Sequence, residues 1–317
     1  MNNLEHIPYS AVRHPSAVTY AEWRKGLQPR YGRAWRDIAL GYFFLIALLV
    51  AASFLPQQRL LAVIAIALGG GLAAGFVLAF LASFLHEAGH FNLHPDKKTN
   101  DRLADIFLGL LFGVSIRAYR KIHWQHHLQL GTPDDTETSY FNALTTQFFL
   151  ESFTGIHLLK VILKKSGHQL LTPEMKKQSG RMLLACAFLN LCITIGLAAA
   201  GLWATAGMWV MSVLIFFPFF ATVRQLLEHR SELAERSADY TRQEHGRVTR
   251  IFASGLFSRL FGSAGFNKHM IHHWDPNISY TRLDEIEGFL LECEATRELV
   301  KNSHTTYFKT LRKLLRS

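Results

Sequence analysis

Histidine is the residue type whose spacing most clearly points to chemistry in this chain. Sixteen histidines occur in 317 residues, and half of them fall into three short clusters. The clusters have the patterns HxxxH, HxxHH and HxxHH, formed by His86 and His90; His123, His126 and His127; and His269, His272 and His273. Residues three and four positions apart share one face of a helix. Because imidazole nitrogen binds iron, zinc, copper and nickel, this spacing predicts metal sites.

A ninth candidate ligand, His229, directly follows an apolar stretch. One tetrahedral zinc ion takes three or four ligands, so nine imidazoles exceed the need of one ion and suit two ions of higher coordination number. The other histidines are expected to have ordinary structural roles, although His94 lies four residues beyond His90 and could share its helical face. They are His6, His14, His94, His157, His168, His245 and His304.

Four apolar stretches must position these clusters. They cover about residues 38–55, 60–85, 182–202 and 206–223, and a helix needs roughly 20 residues to cross a ~30 Å hydrocarbon core. Short turns at residues 56–59 and 201–207 predict two helical hairpins. Gly69, Gly70, Gly71 and Gly75 give the second stretch a small-residue face suited to close helix packing, and Pro218 should distort the fourth.

The distribution of charge indicates the orientation of these stretches. The chain has 34 lysine and arginine residues, of which only Arg59 lies in the two hairpin turns. Basic residues accumulate on the cytoplasmic side of membrane proteins, so both termini and residues 86–181 and 224–317 are expected in the cytoplasm. We therefore predict an all-α, multi-pass membrane protein with a single domain over residues 1–317. Its four transmembrane helices would stand below a cytosolic, histidine-rich helical cap, and a bacterial inner membrane is the expected location.

Two further apolar stretches, residues 103–116 and 148–163, are too short or too interrupted to cross a membrane and predict helices in the plane of the interface. The basic segment 308–316 is equally compatible with lipid contact and with solvent exposure. The net charge of +10 fits the membrane orientation and does not indicate nucleic acid, because the basic residues form no patch interleaved with aromatic residues. Three cysteines exclude a disulfide framework.

The histidine pattern resembles the membrane fatty acid desaturase and hydroxylase superfamily. The resemblance extends from the first apolar stretch to Leu283 and includes the order of the three boxes, the two pairs of spans, and Asn267 just before the third box. In that family the box histidines bind a di-iron centre, which implies this role for all eight box histidines here. A histidine after the last span is a further ligand in acyl-CoA desaturases, which implies His229. An amide side chain four residues earlier holds a water at the metal, and Gln225 occupies that position.

The resemblance implies an oxidoreductase that uses O2 and two iron ions to introduce a double bond into a fatty acyl or lipid-like chain. Its electrons would come from a separate donor, a ferredoxin or a b-type cytochrome with its reductase. The first box has three intervening residues where acyl-CoA delta-9 desaturases have four, which argues against a CoA thioester substrate. Acidic residues beside the boxes are candidates for orienting the imidazole rings; they are Glu87, Asp134, Asp135, Glu228 and Asp275.

Three alternative functions remain open from the sequence. A hydroxylase or ketolase acting on a lipid or small amphiphile would use the same boxes. The first box also matches the HExxH motif of zinc proteases, in which the glutamate is the general base, but an intramembrane protease would leave two HxxHH triplets without a role. A metal or proton transporter would place its histidines near the membrane midplane, whereas these clusters lie at the ends of the apolar stretches.

Overall fold

The computed structural model describes residues 4–316, which are mostly helical. Within these residues, four helices are long and apolar enough to cross a membrane, as the sequence predicts. We name them span 1 (Tyr31–Ser53), span 2 (Leu60–Gly89), span 3 (Pro173–Ala199) and span 4 (Trp203–His229). Spans 1 and 3 begin before their apolar cores and spans 2 and 4 end after theirs, because helical hydrogen bonding continues through polar residues. The predicted turn at 201–207 is wrong in extent, since span 4 already begins at Trp203.

The remaining elements are short. The helices are Tyr20–Trp23, Lys97–Ala104, Leu110–Phe112, Ile116–Gln129, Thr146–Phe153, Ile156–Ser166, Leu256–Phe261, His269–Trp274, Leu283–Glu292, Glu294–Asn302 and Tyr307–Leu314. The 3₁₀ turns are Leu4–His6, Tyr9–Ala11, Arg24–Gly26, Thr138–Phe141, Phe266–Lys268 and Tyr280–Arg282. The strands within the described residues are Ile251–Phe252 and His304–Thr305, which pair in parallel with Ile251 opposite His304.

The chain folds into two compact units, each built from separate stretches of sequence. Unit 1 contains Met1–Ala34, Gln125–Ala143 and Gln225–Ser317, and unit 2 contains Trp35–Trp124 and Leu144–Arg224. Unit 2 therefore holds most of the apolar spans, and unit 1 holds most of the histidines. The single domain expected over residues 1–317 stays a prediction.

Glycine residues in unit 2 allow spans 2 and 4 to pack closely. A Cβ atom at Gly75 would lie closer to the Cβ of Phe216 than two side chains can approach. Gly70 and Gly71 similarly face methionine side chains of span 4, whereas Gly69 has nothing within 4 Å. Three of the four glycines of the predicted small-residue face therefore lie where two helices touch, as expected for spans that pack in lipid.

Span 4 contains a π-helical turn at Ser212–Phe216, which ends two residues before Pro218. Proline has no N–H, and its ring crowds the carbonyl four residues earlier, here that of Leu214. The distortion expected at Pro218 thus takes the form of a π turn, a known way to relieve such crowding. Gly155 lies against this region: a Cβ there would collide with the Leu214 oxygen and lie 3.3 Å from Cγ of Pro218.

The stretches that were expected to lie in the membrane interface are helical but interrupted. Gly113 ends the first at φ 71° and Gly155 breaks the second at φ 74°. Both stretches expose large apolar side chains, including Phe107, Leu150 and Leu159. Their location at a membrane surface stays a prediction.

In unit 1 the N-terminal segment packs over the helix that carries the third histidine box. The Trp274 indole donates to the Ile7 carbonyl at 2.9 Å, and the Tyr9 hydroxyl donates to the Trp274 carbonyl at 2.7 Å. Buried apolar residues from the N-terminal segment and from the helices after the box form one core; they include Leu4, Tyr20, Ile271, Trp274, Ile286 and Leu290. Because Ile271 and Trp274 of the box helix belong to this core, the core fixes the position of the third box.

Replacing Gly155 with alanine should destabilise the protein. The new methyl group would clash with the Leu214 carbonyl, and alanine would be held at positive φ, so we expect a loss of roughly 2–5 kcal/mol in the free energy of unfolding. Gly180→Ala on span 3 is the matched control, because nothing lies within 4 Å of its position. The check is the thermal unfolding midpoint of both variants in the same detergent, and equal midpoints would contradict this packing.

Candidate metal centre

Unit 2 brings together the first box and the first histidine of the second box. His86 and His90 are four residues apart at the end of span 2, and their ring centroids are 4.8 Å apart. His123, on the helix Ile116–Gln129, lies 4.7 Å from the His86 ring and 5.0 Å from the His90 ring. The Nε2 atoms of His123 and His90 are 3.1 Å apart. All three side chains are buried, so three imidazoles converge in an enclosed space.

The end of span 2 is held by residues that the sequence analysis did not single out. Arg120 donates to the carbonyls of Gly89 (2.7 Å) and Ala88 (3.0 Å) and forms an ion pair with Asp101. Asn100 donates to the same Ala88 carbonyl at 3.0 Å. These bonds add side-chain donors to carbonyls in the last turn of the helix that carries the first box, where regular helical donors run out; the Ala88 carbonyl also accepts from the Phe91 N–H at 3.2 Å. Their positions fix the direction in which His86 and His90 point.

Unit 1 contains a second convergence of four buried histidines, His126, His229, His269 and His273. One ring nitrogen from each lies within 4.8 Å of the others. The shortest separations join the Nε2 atoms of His269 and His229, at 2.9 Å, and of His273 and His269, at 3.1 Å. His269 and His273 are i and i+4 on the helix His269–Trp274, as the spacing predicts. His229 is the last residue of span 4, which brings this isolated histidine into the group.

A further pair of imidazoles in unit 1 joins the remaining box histidines. The Nε2 atoms of His127 and His272 lie 3.2 Å apart, and the His127 ring is 4.5 Å from that of His273. Every histidine that the sequence analysis named as a ligand therefore has another such histidine as a neighbour within its own unit. His94 does not join them: its Nδ1 atom accepts a hydrogen bond from the Asp96 backbone at 3.0 Å, within a local turn.

Asp135 orients His126. The Nδ1 atom of His126 lies 2.8 Å from Oδ1 of Asp135, so Nδ1–H donates to the carboxylate and Nε2 is left to face the cluster. Burial alone would raise the pKa of Asp135, but His126 and the Tyr140 hydroxyl together lower it below its ordinary value. Burial and the Asp135 charge raise the pKa of Tyr140, which keeps its hydroxyl protonated and donating. Carboxylates in this position commonly support metal-binding imidazoles.

His229 is oriented by backbone. Its Nδ1–H donates to the Val248 carbonyl at 3.0 Å, which again leaves Nε2 to face the cluster. Arg250, two residues later, donates to the carbonyls of Leu227 at 2.8 Å and Arg230 at 2.6 Å, at the end of span 4. The Arg250 carbonyl in turn accepts from the Met270 N–H at 3.0 Å. The segment from 248 to 250 thus connects the end of span 4 to the helix of the third box.

The remaining candidates beside the boxes have different surroundings. Gln225 donates to Glu137 at 2.6 Å, and Glu87 lies 3.7 Å from Nδ1 of His86, beyond hydrogen-bond distance. Asn267 is buried in the turn just before the third box. Asp134 is exposed and Glu228 is buried.

The idea that Asp275 orients an imidazole is wrong. Its carboxylate instead accepts two hydrogen bonds from Arg24, both at 2.6 Å, and one from the Tyr20 hydroxyl at 2.8 Å. The reason is that Asp275 follows the box helix on the side covered by the N-terminal segment. This fully buried carboxylate therefore anchors that segment to the third box.

The donor set fits transition-metal ions. Burial, with contributions from His123 and Arg120, holds the pKa of His90 well below its ordinary value. Burial and the neighbouring imidazoles do the same for the pKa of His273. Both rings are therefore neutral near pH 7, the form that binds metal. Clustered neutral imidazoles match iron, zinc, copper or nickel and do not match the oxygen-preferring magnesium or calcium.

Comparison with known proteins identifies the family. The family model described as fatty acid desaturase matches residues 62–302. This range includes all nine candidate histidines, spans 3 and 4, and span 2 except its first two residues. A search of curated proteins finds no match.

Asp135→Asn should weaken metal binding. The amide keeps the shape of the side chain but removes the charge that favours Nδ1 protonation of His126, and such supporting changes typically cost about 10–100-fold in metal affinity. Asp134→Asn is the control, because its side chain is an exposed neighbour on the same loop. The measurement is the amount of metal that each variant retains per chain after dialysis against increasing concentrations of a chelator. The same retention in both variants would show that Asp135 does not support the site.

Arg250→Met should lower both stability and metal content. Methionine cannot donate to the Leu227 and Arg230 carbonyls, and a buried acceptor left without a donor costs about 1–3 kcal/mol. Arg247→Met, at an exposed arginine of the same segment, should leave both quantities near wild type. The measurements are the thermal unfolding midpoint and the metal content per chain of both variants and the wild type. A wild-type midpoint for Arg250→Met would refute its role at the end of span 4.

Proposed function

Because the chain belongs to the fatty acid desaturase family, we propose that it is a membrane enzyme that uses O2 and two iron ions to introduce a double bond into a fatty acyl or lipid-like chain. The observation that carries this proposal is the grouping of buried imidazoles from different boxes within each unit. Family membership supports an oxidoreductase, and the four apolar helices support an integral membrane protein. The double bond and the iron are our proposal.

The ligands we propose are the nine histidines named from the sequence. They are His86, His90, His123, His126, His127, His229, His269, His272 and His273. The cluster of His126, His229, His269 and His273 is sufficient for one ion. We assign the other five histidines to the same di-iron centre because the family uses its box histidines in this way. When bound, the iron pair would supply the O2-dependent chemistry that removes hydrogen from an unactivated alkyl chain.

The residues of this chain would prepare the centre for that chemistry. Asp135 and the Val248 carbonyl hold Nδ1–H of His126 and His229, so that both rings present Nε2 to an ion. The hydrogen-bonded ends of the box helices limit movement of the other rings. Burial excludes bulk water, which protects a strongly oxidising site from side reactions. On the pattern of the family we assign to Gln225 the holding of a water at the metal; its amide also donates to Glu137 in unit 1.

The cellular setting follows from the same proposal. The candidate ligands lie at or beyond the ends of spans 2 and 4, and the basic residues lie almost entirely outside the two turns that join the spans. We therefore place both termini and the active site in the cytoplasm, at a bacterial inner membrane. Desaturation needs electrons from outside, for which we propose a separate ferredoxin or a b-type cytochrome with its reductase.

Expression of the chain in cells that lack the activity tests this proposal. We expect new lipid products lighter by about 2 mass units, made only with O2; hydroxylation would instead add about 16 units. His126→Ala and His272→Ala should abolish the product while the protein still inserts into the membrane. His6→Ala, which alters an exposed histidine outside the clusters, should have no effect.

Metal analysis of the active protein distinguishes the remaining alternatives. Two iron ions per chain are expected, and both ligand variants should hold less. One zinc ion per chain, together with cleavage of a membrane peptide, would instead indicate an HExxH protease. Metal transport that does not depend on O2 would indicate a transporter. Either result would reject the oxygenase.

A further inference from the structure

Unit 1 exposes an apolar patch formed by two separate segments. On the helix Leu256–Phe261, the side chains of Leu256, Phe257 and Leu260 are 75%, 43% and 39% exposed. On the helix Tyr307–Leu314, Phe308 is 68% exposed. Phe257 and Phe308 stack on each other, with ring centroids 5.0 Å apart and an interplanar angle of 26°. Large apolar side chains from distant segments therefore form one continuous surface, which soluble surfaces seldom present without a partner.

The inner sides of both helices are already packed in unit 1. Phe261 is buried and lies edge-on to Tyr307 at 4.8 Å, and Tyr307 stacks on Phe252 at 3.7 Å. On the second helix, Thr310 and Leu314 are buried as well. The two helices consequently have a fixed orientation, and the patch is their outward face rather than an unfolded edge.

Basic residues border the patch. Arg259 is exposed between Phe257 and Leu260, and Lys309 and Arg312 are exposed on the helix of Phe308. Because residues four apart share a helical face, Arg312 lies one turn from Phe308. Aromatic and leucine side chains beside arginine and lysine characterise helices that lie at a membrane surface, where the apolar groups enter the acyl boundary and the cations bind anionic headgroups.

We propose that Leu256, Phe257, Leu260 and Phe308 form a lipid-contacting patch that inserts into the boundary between headgroups and acyl chains, with Arg259 and Arg312 binding anionic headgroups. The proposed partner is an anionic bilayer leaflet. This interaction goes beyond the proposed enzyme activity and requires neither iron nor a substrate. It would add an interfacial anchor to the four apolar helices.

A fluorescent label tests the proposal directly. The full chain, with Cys186, Cys192 and Cys293 replaced by alanine, receives one cysteine through Phe308→Cys, Leu256→Cys or the control Leu233→Cys. Leu233 is 85% exposed in unit 1 and outside the patch. Each cysteine carries the dye NBD, and single copies are placed in nanodiscs of phosphatidylcholine, with or without about one third phosphatidylglycerol.

Labels at positions 308 and 256 should emit at shorter wavelength and be reduced by dithionite roughly tenfold more slowly than the label at 233, as expected for groups several ångströms below the headgroups. Phosphatidylglycerol should increase this protection. Equal and rapid reduction at all three positions in both lipids would overturn the proposal, because the patch would then lie in water. Protection that is the same in both lipids would overturn the role of the arginines. Matched unfolding midpoints establish that the labelled proteins are folded.

Discussion

The structure depends on the packing of several neutral imidazoles into buried space. Each ring has two nitrogens, and burial makes it costly to leave either without a partner or to protonate it. In unit 1, carboxylate or backbone oxygen accepts from Nδ1 of His126 and His229, which leaves Nε2 to point inward. Separations of about 3 Å between Nε2 atoms are reasonable for rings that share a proton or surround a cation. A bound metal ion would satisfy several of these nitrogens at once, so metal binding and folding of the site should be coupled.

This constraint explains why so much of the hydrogen bonding lies at helix ends. Box histidines can converge only if their helices end at defined places and in defined directions. Arg120 and Asn100 satisfy the carbonyls at the end of span 2, while Arg250 satisfies those at the end of span 4. A terminal carbonyl without a donor would cost stability and would also allow the last turn to fray. These side chains therefore contribute to ligand geometry through their bonds to backbone carbonyls.

The sequence predicts the local half of this arrangement well. The four-residue spacing correctly places His86 with His90 and His269 with His273, because helical geometry is set over a few residues. The four apolar helices follow from composition for the same reason. The HxxHH triplets, however, divide: His123 joins the first box in unit 2, and in unit 1 His272 pairs with His127. Contacts between side chains are harder to predict. Positions 134 and 135 both carry aspartate, but it is Asp135 whose carboxylate accepts from His126, whereas Asp134 is exposed. Asp275 adjoins the third box but pairs with Arg24, 251 residues earlier. No local pattern identifies Arg250, because its acceptors are backbone carbonyls, which every residue has.

The same distinction between local and distant information applies to the apolar surfaces. A lipid-facing span and a buried core helix are both apolar, so hydropathy alone does not say what an apolar residue touches. Within the helix Leu256–Phe261, Phe261 faces the interior of unit 1, whereas Leu256 and Phe257 face outward. The sequence shows six residues that include four large apolar side chains, but it does not show that Tyr307 covers Phe261 and leaves Phe257 to stack on Phe308. Tertiary packing thus selects which apolar residues remain available to a bilayer, and the basic residues beside them determine which kind of leaflet they would favour.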